Sequence, residues 1–415
     1  MNEFSYLFLF FLTGSVSLKL WLNARQSRHI MLHRQQVPDD FVGKIDLEAH
    51  QKAADYTIAK TNIASISTLI SSAILIMLTL GGGLNLLLSM SQSYIGSDIL
   101  VGICLIMSTF ILSYFIELPI DIYQTFKIEQ KFGFNRTTTG QFIKDQLIQL
   151  ALMLIIGCPL IYALLWVMGE MGDYWWLYAG VLTISFTFFM TWLVPTLIAP
   201  LFNKFTPLED EQLKNKIQHL FERCGFNSKG IYVMDGSRRS GHGNAYFTGI
   251  GNNKRIVFYD TLIESLDADE VEAVLAHELG HFKCKHVRRQ MVVSSLVTLA
   301  AFALLGWLKQ QNWFFDGLAV LQITDASALL LFLLISPIFS TFIHPISSYY
   351  QRKFEFEADA FASTMSKPEY LIQALVKLYR ENASTLTPDP LYSSFHHSHP
   401  PAGVRINHLK SLAKC

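Results

Sequence analysis

This 415-residue chain predicts a mostly α-helical membrane protein with seven spanning helices and a cytoplasmic α+β domain that the last two spans interrupt. Three observations carry that expectation. Apolar residues make up 51% of the chain and charged residues only 16%, well under the roughly 25% charge of an ordinary soluble domain. Apolar stretches of spanning length recur near 5–23, 63–89, 99–120, 146–168, 174–198, 291–308 and 327–350. Two long polar segments remain, 199–289 and 351–415.

The first stretch reads as a retained span, because it has neither a basic leader nor a clear small-x-small cleavage site. The second carries Ser65, Ser67, Thr68, Ser71 and Ser72, a polar stripe that suits helix contacts or a wet interior. Loop charge then orients the bundle. The 24–60 segment holds Arg25, Arg28, Arg34, Lys44, Lys52 and Lys60, and the 121–145 loop holds Lys127, Lys131, Arg136 and Lys144. The loops near 90–98, 169–173 and 310–326 have no Lys or Arg. Basic loops stay in the cytoplasm, so residues 199–290 are expected there. The expected layout is five spans in 1–198, a first catalytic part in 199–289, two spans in 290–350 and a second catalytic part in 351–415.

Lys and Arg balance Asp and Glu at 33 each, and no Gly-rich phosphate loop occurs, so neither nucleic acid nor a nucleotide is an expected partner. The lipid bilayer is. Five cysteines stand singly at 104, 158, 224, 284 and 415, which implies no disulfide framework and no thiolate metal site. Cys284 lies close enough to the motif below to be weighed as a ligand, but a buried structural thiol is the plainer reading.

In the first polar segment, 208–224 has the spacing of an amphipathic helix, and Gly230–Met234 and Arg255–Tyr259 read as strands. Between them, Gly241–Gly249 suggests a short strand that could form a sheet edge. Asp267 and Glu270 then form a helix-start signal, followed by the helical apolar period of Val271, Val274, Leu275 and Leu279. On that helix lies His277-Glu278-Leu-Gly-His281. Positions i and i+4 share a helix face, so both imidazoles can reach one Zn²⁺ with Glu278 beside its open coordination position. That is a hydrolytic metal layout.

A catalytic zinc commonly takes a third protein ligand. His286 is nine residues beyond His277 and falls on the opposite face if the helix continues. The better candidate is Glu355, four residues before Asp359, because one carboxylate of such a pair can bind metal while the other accepts a hydrogen bond from a ligand histidine. Glu357 points away from that face. The run His396-His397-Ser-His399 is read as potentially catalytic at His399 alone.

These residues resemble the type I CAAX prenyl proteases, integral-membrane zinc endopeptidases with seven spans. Besides the two metal motifs, the resemblance rests on Lys131–Asn135, Pro200–Phe205, Asn244–Phe247, Lys254–Val257 and His399-Pro-Pro401 with Arg405. It implies a zincin-like domain capping a water-filled chamber, with one Zn²⁺ held by His277, His281 and Glu355 and with Asp359 orienting a histidine. It further implies Glu278 as general base, His399 and Arg405 over the metal as oxyanion stabilisers, and Asn244 and Ala245 in an edge strand that pairs with an extended substrate. The expected partner is a peptide or protein C-terminus, with or without a prenyl group. The family often has Gln where this chain has Glu357, and its eukaryotic members carry longer inserts. The compact chain therefore suits a bacterial plasma membrane, or the endoplasmic reticulum in a eukaryote. A heat-shock quality-control protease shares the metal motifs but has about four spans. A non-catalytic chamber with structural zinc would have no need of Glu278.

Overall fold

The computed structural model describes residues 1–226, 230–248 and 255–413. Helices α1 (Glu3–His33) and α2 (Leu47–Leu78) pack side by side, and Arg34 grips Asp55 between them with Nε and Nη2 at 2.7 Å each. Next come the short α3 (Gly83–Tyr94), then α4 (Asp98–Tyr123), α5 (Thr139–Glu170), α6 (Trp175–Leu193) and the single turn α7 (Ala199–Phe202). Among the described residues, six helical stretches are long and apolar enough to cross a membrane, and there are seven if one bent pair is counted as a span.

Two expected spans have different bounds. The stretch 63–89 is cut after Leu78, because Gly81 and Gly83 approach the Met77 carbonyl so closely that a Cβ would lie 2.7 and 2.9 Å from it, and Gly82 takes φ +76°. These glycines permit a reversal that other residues would resist. The expected seventh span, 327–350, is a broken pair bent by 66°.

Polar groups in the spans face one another. Asn23 donates to Ser65 Oγ at 2.9 Å, and Ser71 donates to Glu117 Oε1 at 2.9 Å. Ser65 and Ser71 of the polar stripe thus make helix contacts, whereas Thr68 and Ser72 donate to the Ala64 and Thr68 carbonyls of α2 itself.

The domain outside the bundle begins with β1 (Phe205–Pro207) and α8 (Glu211–Cys224), whose N-cap Asp210 accepts from the Gln212 and Leu213 amides. Strands β2 (Gly230–Met234), β3 (Ala245–Thr248) and β4 (Arg255–Tyr259) follow, and the sheet order is β1-β2-β4-β3. β2 and β4 are parallel, whereas β3 is antiparallel to β4 with Ala245 opposite Phe258. Among the described residues β3 is therefore an edge strand, as expected of its sequence. Gly249 and Lys254 of the sequence motifs lie outside the described residues.

After α9 (Asp260–Ser265), helix α10 (Ala268–Lys283) carries the metal motif, and its capping box is closed by the Asp267 amide donating to Glu270 Oε2 at 2.8 Å. Helices α11 (His286–Leu308), α12 (Asn312–Gly317) and α13 (Asp325–Ser340) return through the bundle. Helix α14 (His344–Met365) then delivers Glu355 and Asp359, followed by α15 (Pro368–Glu381), α16 (Pro390–His396) and α17 (Ala402–Leu412). Because α14 is continuous, the division expected at 350 falls inside a helix.

One apolar core lies among the spans, around Phe8, Leu105, Leu165 and Leu330. A second lies in the domain, around Ile217, Phe258, Leu275 and Ile406. Phe132 and Phe134 of the Lys131–Asn135 segment belong to a third, smaller cluster with Tyr56 and Ala383. Phe134 stacks on His242 with ring centroids 4.3 Å apart, its carbonyl accepts from the Gly241 amide at 3.0 Å, and Arg239 grips Asp145 at 2.7 and 2.8 Å.

Candidate active site

Helices α10 and α14 touch at Gly280, where a Cβ would stand 2.9 Å from Ala358 Cα. The missing side chain lets the two backbones close up, and that approach places Glu355 against the two histidines of α10. His277 Nε2 and His281 Nε2 are 3.2 Å apart, and Glu355 oxygens lie 3.4 Å from the first and 3.2 Å from the second.

That spacing suits a metal. Two bonds of about 2.0–2.1 Å at a tetrahedral angle separate their donors by roughly 3.3 Å. Glu355 Oε2 is also buried without a hydrogen-bond partner, a costly condition that a bound cation relieves. The residues present therefore fit a metal of the kind that two histidines and a carboxylate hold.

Each histidine is oriented from behind. His277 Nδ1 lies 2.8 Å from Asp359 Oδ1, which leaves Nε2 facing the donor set. Burial and the Arg405 charge lower the His277 pKa, but its contacts with Asp359 and Glu355 outweigh them and push it up to about 9 in the metal-free site. A metal there must displace that proton.

His281 has a different support, one that the sequence did not reveal. Its Nδ1 lies 3.1 Å from His286 Nδ1, and His286 Nε2 lies 3.0 Å from Glu357 Oε2. The expectation that His286 sits on the opposite face assumed a continuous helix. Instead α10 ends at Lys283 and Lys285 takes the left-handed φ of 59°, so the chain turns and brings His286 back to the motif. His286 is buried and stacks on Phe354 at 4.2 Å between centroids. Cys284 is not among the three convergent donors but stands with His286 and Glu357, and burial pushes its thiol pKa up.

Arg405 is placed otherwise than as an oxyanion group over the metal. It is buried, its Nε donates to Asp359 Oδ2 at 2.9 Å, and its Nη1 is 3.5 Å from Glu355 Oε2. The guanidinium therefore neutralises two buried carboxylates and fixes Asp359, a fork geometry that arginine provides.

His399 does reach the site, with Nε2 3.4 Å from Glu355 Oε1 and Nδ1 2.9 Å from Ser398 Oγ. When Nδ1 accepts from that hydroxyl, the neutral ring carries its proton on Nε2. Crowding by the surrounding protein lowers its pKa, although 65% of its side chain stays accessible from the adjoining cavities. Glu278, His281, Glu355 and His399 line one cavity of about 370 Å³, and Tyr246 and Phe247 of β3 line it as well. Asn244 is exposed just before the strand, and its carbonyl accepts from the Tyr259 amide at 2.9 Å.

Comparison with known proteins finds relatives across nearly the whole chain. Residues 26–204 match the family described as CAAX prenyl protease N-terminal, five membrane helices, and residues 207–413 match peptidase family M48. A CAAX prenyl protease 1 homolog of Arabidopsis thaliana is 34% identical over 405 residues, covering 93% of this chain and 92% of the relative. The Homo sapiens CAAX prenyl protease 1 homolog is 31% identical, covering 94% and 92%. The crystal structure of S. mikatae Ste24p superposes with a TM-score of 0.90 at 31% identity, covering 99% of each chain.

Proposed function

The chain belongs to peptidase family M48, in its CAAX prenyl protease group, and from that premise we propose a division of labour among its site residues. It is a multi-pass membrane metalloendopeptidase. The observation that carries the proposal is the convergence of His277, His281 and Glu355 within 3.4 Å at a cavity that Glu278 and His399 also line.

His277, His281 and Glu355 would hold Zn²⁺, since two imidazoles and one carboxylate match its preference and leave a coordination position open. When bound, that ion lowers the pKa of a coordinated water and polarises the scissile carbonyl. Glu278 accepts the proton of the attacking water and returns it to the leaving amine. Nε2–H of His399 donates to the oxygen that becomes negative in the transition state, a contact whose loss typically costs about 10²–10³ in rate. Asp359 keeps His277 in the ligating tautomer, and Arg405 holds Asp359. The free edge of β3, entered at Asn244 and Ala245, pairs with the extended substrate backbone.

The substrate is proposed to be a peptide or protein cleaved near its C-terminus, with a prenyl group tolerated or required. Tyr246, Phe247, Phe282, Val287 and Phe354 around the first cavity offer apolar surface to such a group. The Lys and Arg distribution supports a catalytic domain facing the cytoplasm, in a bacterial plasma membrane or an endoplasmic reticulum. The spans are proposed to enclose a water-filled chamber beneath it.

Cleavage of a C-terminal peptide with and without an attached isoprenoid, by wild type and Glu278→Ala with zinc measured on both, tests this reading. Turnover by wild type alone, with zinc in both, is the expected result. A zinc-loaded wild type that cleaves neither peptide would overturn it.

A further inference from the structure

Two cavities meet at Ser398 and His399. The first is the site cavity, walled by Phe247, Phe282, Val287 and Phe354 and holding the carboxylates of Glu278 and Glu355. The second, about 670 Å³, lies between α2 and the catalytic domain and is lined by Tyr56, Lys60, Thr61, His242, Asn382 and other residues out to His399.

Their charges differ. Among the described residues, the lining of the second cavity includes no Asp or Glu, and Lys60 is its single Lys or Arg. The lining of the first includes no Lys or Arg. Lys60 is exposed to the second cavity, with Nζ 3.5 Å from the Tyr56 hydroxyl and 5.0 Å from the centre of that ring. Glu129, a carboxylate that feels the Lys60 charge, already accepts from the Tyr56 hydroxyl at 2.7 Å and stands 3.6 Å from His242. An ammonium so placed has capacity for another anion.

Strand β3 supplies a direction. Residues His242–Asn244 lead into it beside the second cavity, where the Gly243 amide donates to Asn382 Oδ1 at 3.0 Å. Tyr246 and Phe247, further along, line the first cavity. A peptide added antiparallel to β3 runs from the Phe247 end toward the Ala245 end, so its C-terminal residues enter the second cavity. The parallel direction would instead carry a terminal carboxylate among the apolar side chains of Phe247, Phe282 and Phe354, which its desolvation opposes.

We infer that the second cavity binds the residues on the C-terminal side of the scissile bond and that Lys60 receives their free terminal carboxylate. This rests on the peptidase reading above. It makes Lys60 a specificity-determining residue that distinguishes a chain end from an internal segment, and it assigns the two cavities to opposite sides of the cleaved bond.

The test compares two peptides identical except for a free C-terminal carboxylate or a C-terminal amide. Full-length wild type, Lys60→Gln and Lys60→Arg are assayed in detergent and in vesicles of neutral and of anionic lipid. Wild type is expected to favour the acid by about tenfold to a hundredfold in kcat/KM, a typical value for a hydrogen bond to a charged group. Lys60→Gln should bring the acid down to the level of the amide, and Lys60→Arg should retain most of the preference. Equal cleavage of both peptides by wild type, or an undiminished preference in Lys60→Gln, overturns the inference while leaving the peptidase intact. A preference seen in anionic vesicles alone would assign Lys60 to a lipid phosphate and overturn it too. A metal-loaded wild type that cleaves neither peptide overturns both readings.

Discussion

His281 and His286 face each other through their Nδ1 atoms at 3.1 Å, and the left-handed backbone of Lys285 makes that meeting possible. A consistent set of tautomers follows: His281 Nδ1–H donates to His286, His286 Nε2–H donates to Glu357, and His281 Nε2 is left free for metal. Asp359 does the same for His277 in one step.

Glu357→Ala is therefore expected to weaken metal binding by about tenfold to a hundredfold, the usual effect of removing a group that orients a ligand histidine. Glu357→Gln keeps an acceptor oxygen and should stay near wild type. Competition with a chelator of known affinity measures both. Equal metal affinity in Glu357→Ala and wild type would show that the relay does not support His281.

Gly280→Ala places a methyl 2.9 Å from Ala358 Cα and 3.0 Å from its carbonyl oxygen. The backbone of α14 must move, at a cost of about 1–3 kcal/mol, and Glu355 moves with it. Thermal unfolding should show a lower Tm, and the purified variant should hold less metal. A variant with wild-type Tm and full metal content would mean that the helices need not approach so closely.

Arg405→Ala leaves the buried Asp359 with His277 as its remaining partner, so up to about 3–5 kcal/mol of stability should be lost. Metal affinity should fall as well, because Asp359 loses its anchor. An Arg405 acting on the transition state alone would instead lower kcat with stability and metal content unchanged, and denaturant unfolding beside metal analysis separates the two.

Metal affinity should fall with pH over the range below about 9, by up to tenfold per unit, because metal binding releases the His277 proton. The metal-free protein has the opposite dependence from this group. The His277 pKa is raised on folding, so its stabilisation is complete below about 6.5 and is lost as pH rises toward about 9. Calorimetric metal titrations in buffers of different ionisation enthalpy count the protons released. Release of none near pH 7 would contradict a protonated metal-free His277.

The membrane character of the chain, the helix that carries His277, Glu278 and His281, and the pairing of Glu355 with Asp359 are all legible in the amino-acid order. Each of these is written in short-range periods: spanning length in apolar runs, i and i+4 on one face, a cap three residues before its partner. Strands Gly230–Met234 and Arg255–Tyr259 were legible for the same reason. The His286 relay was not, because a helical period says nothing beyond the residue where the helix ends, and no rule of local propensity favours a left-handed Lys285. The bend between α13 and α14, the place of Arg405 behind the ligands and the Lys60 cavity likewise join residues from distant parts of the chain. Such contacts are set by how elements pack, and packing is a property of surfaces that meet in the folded molecule.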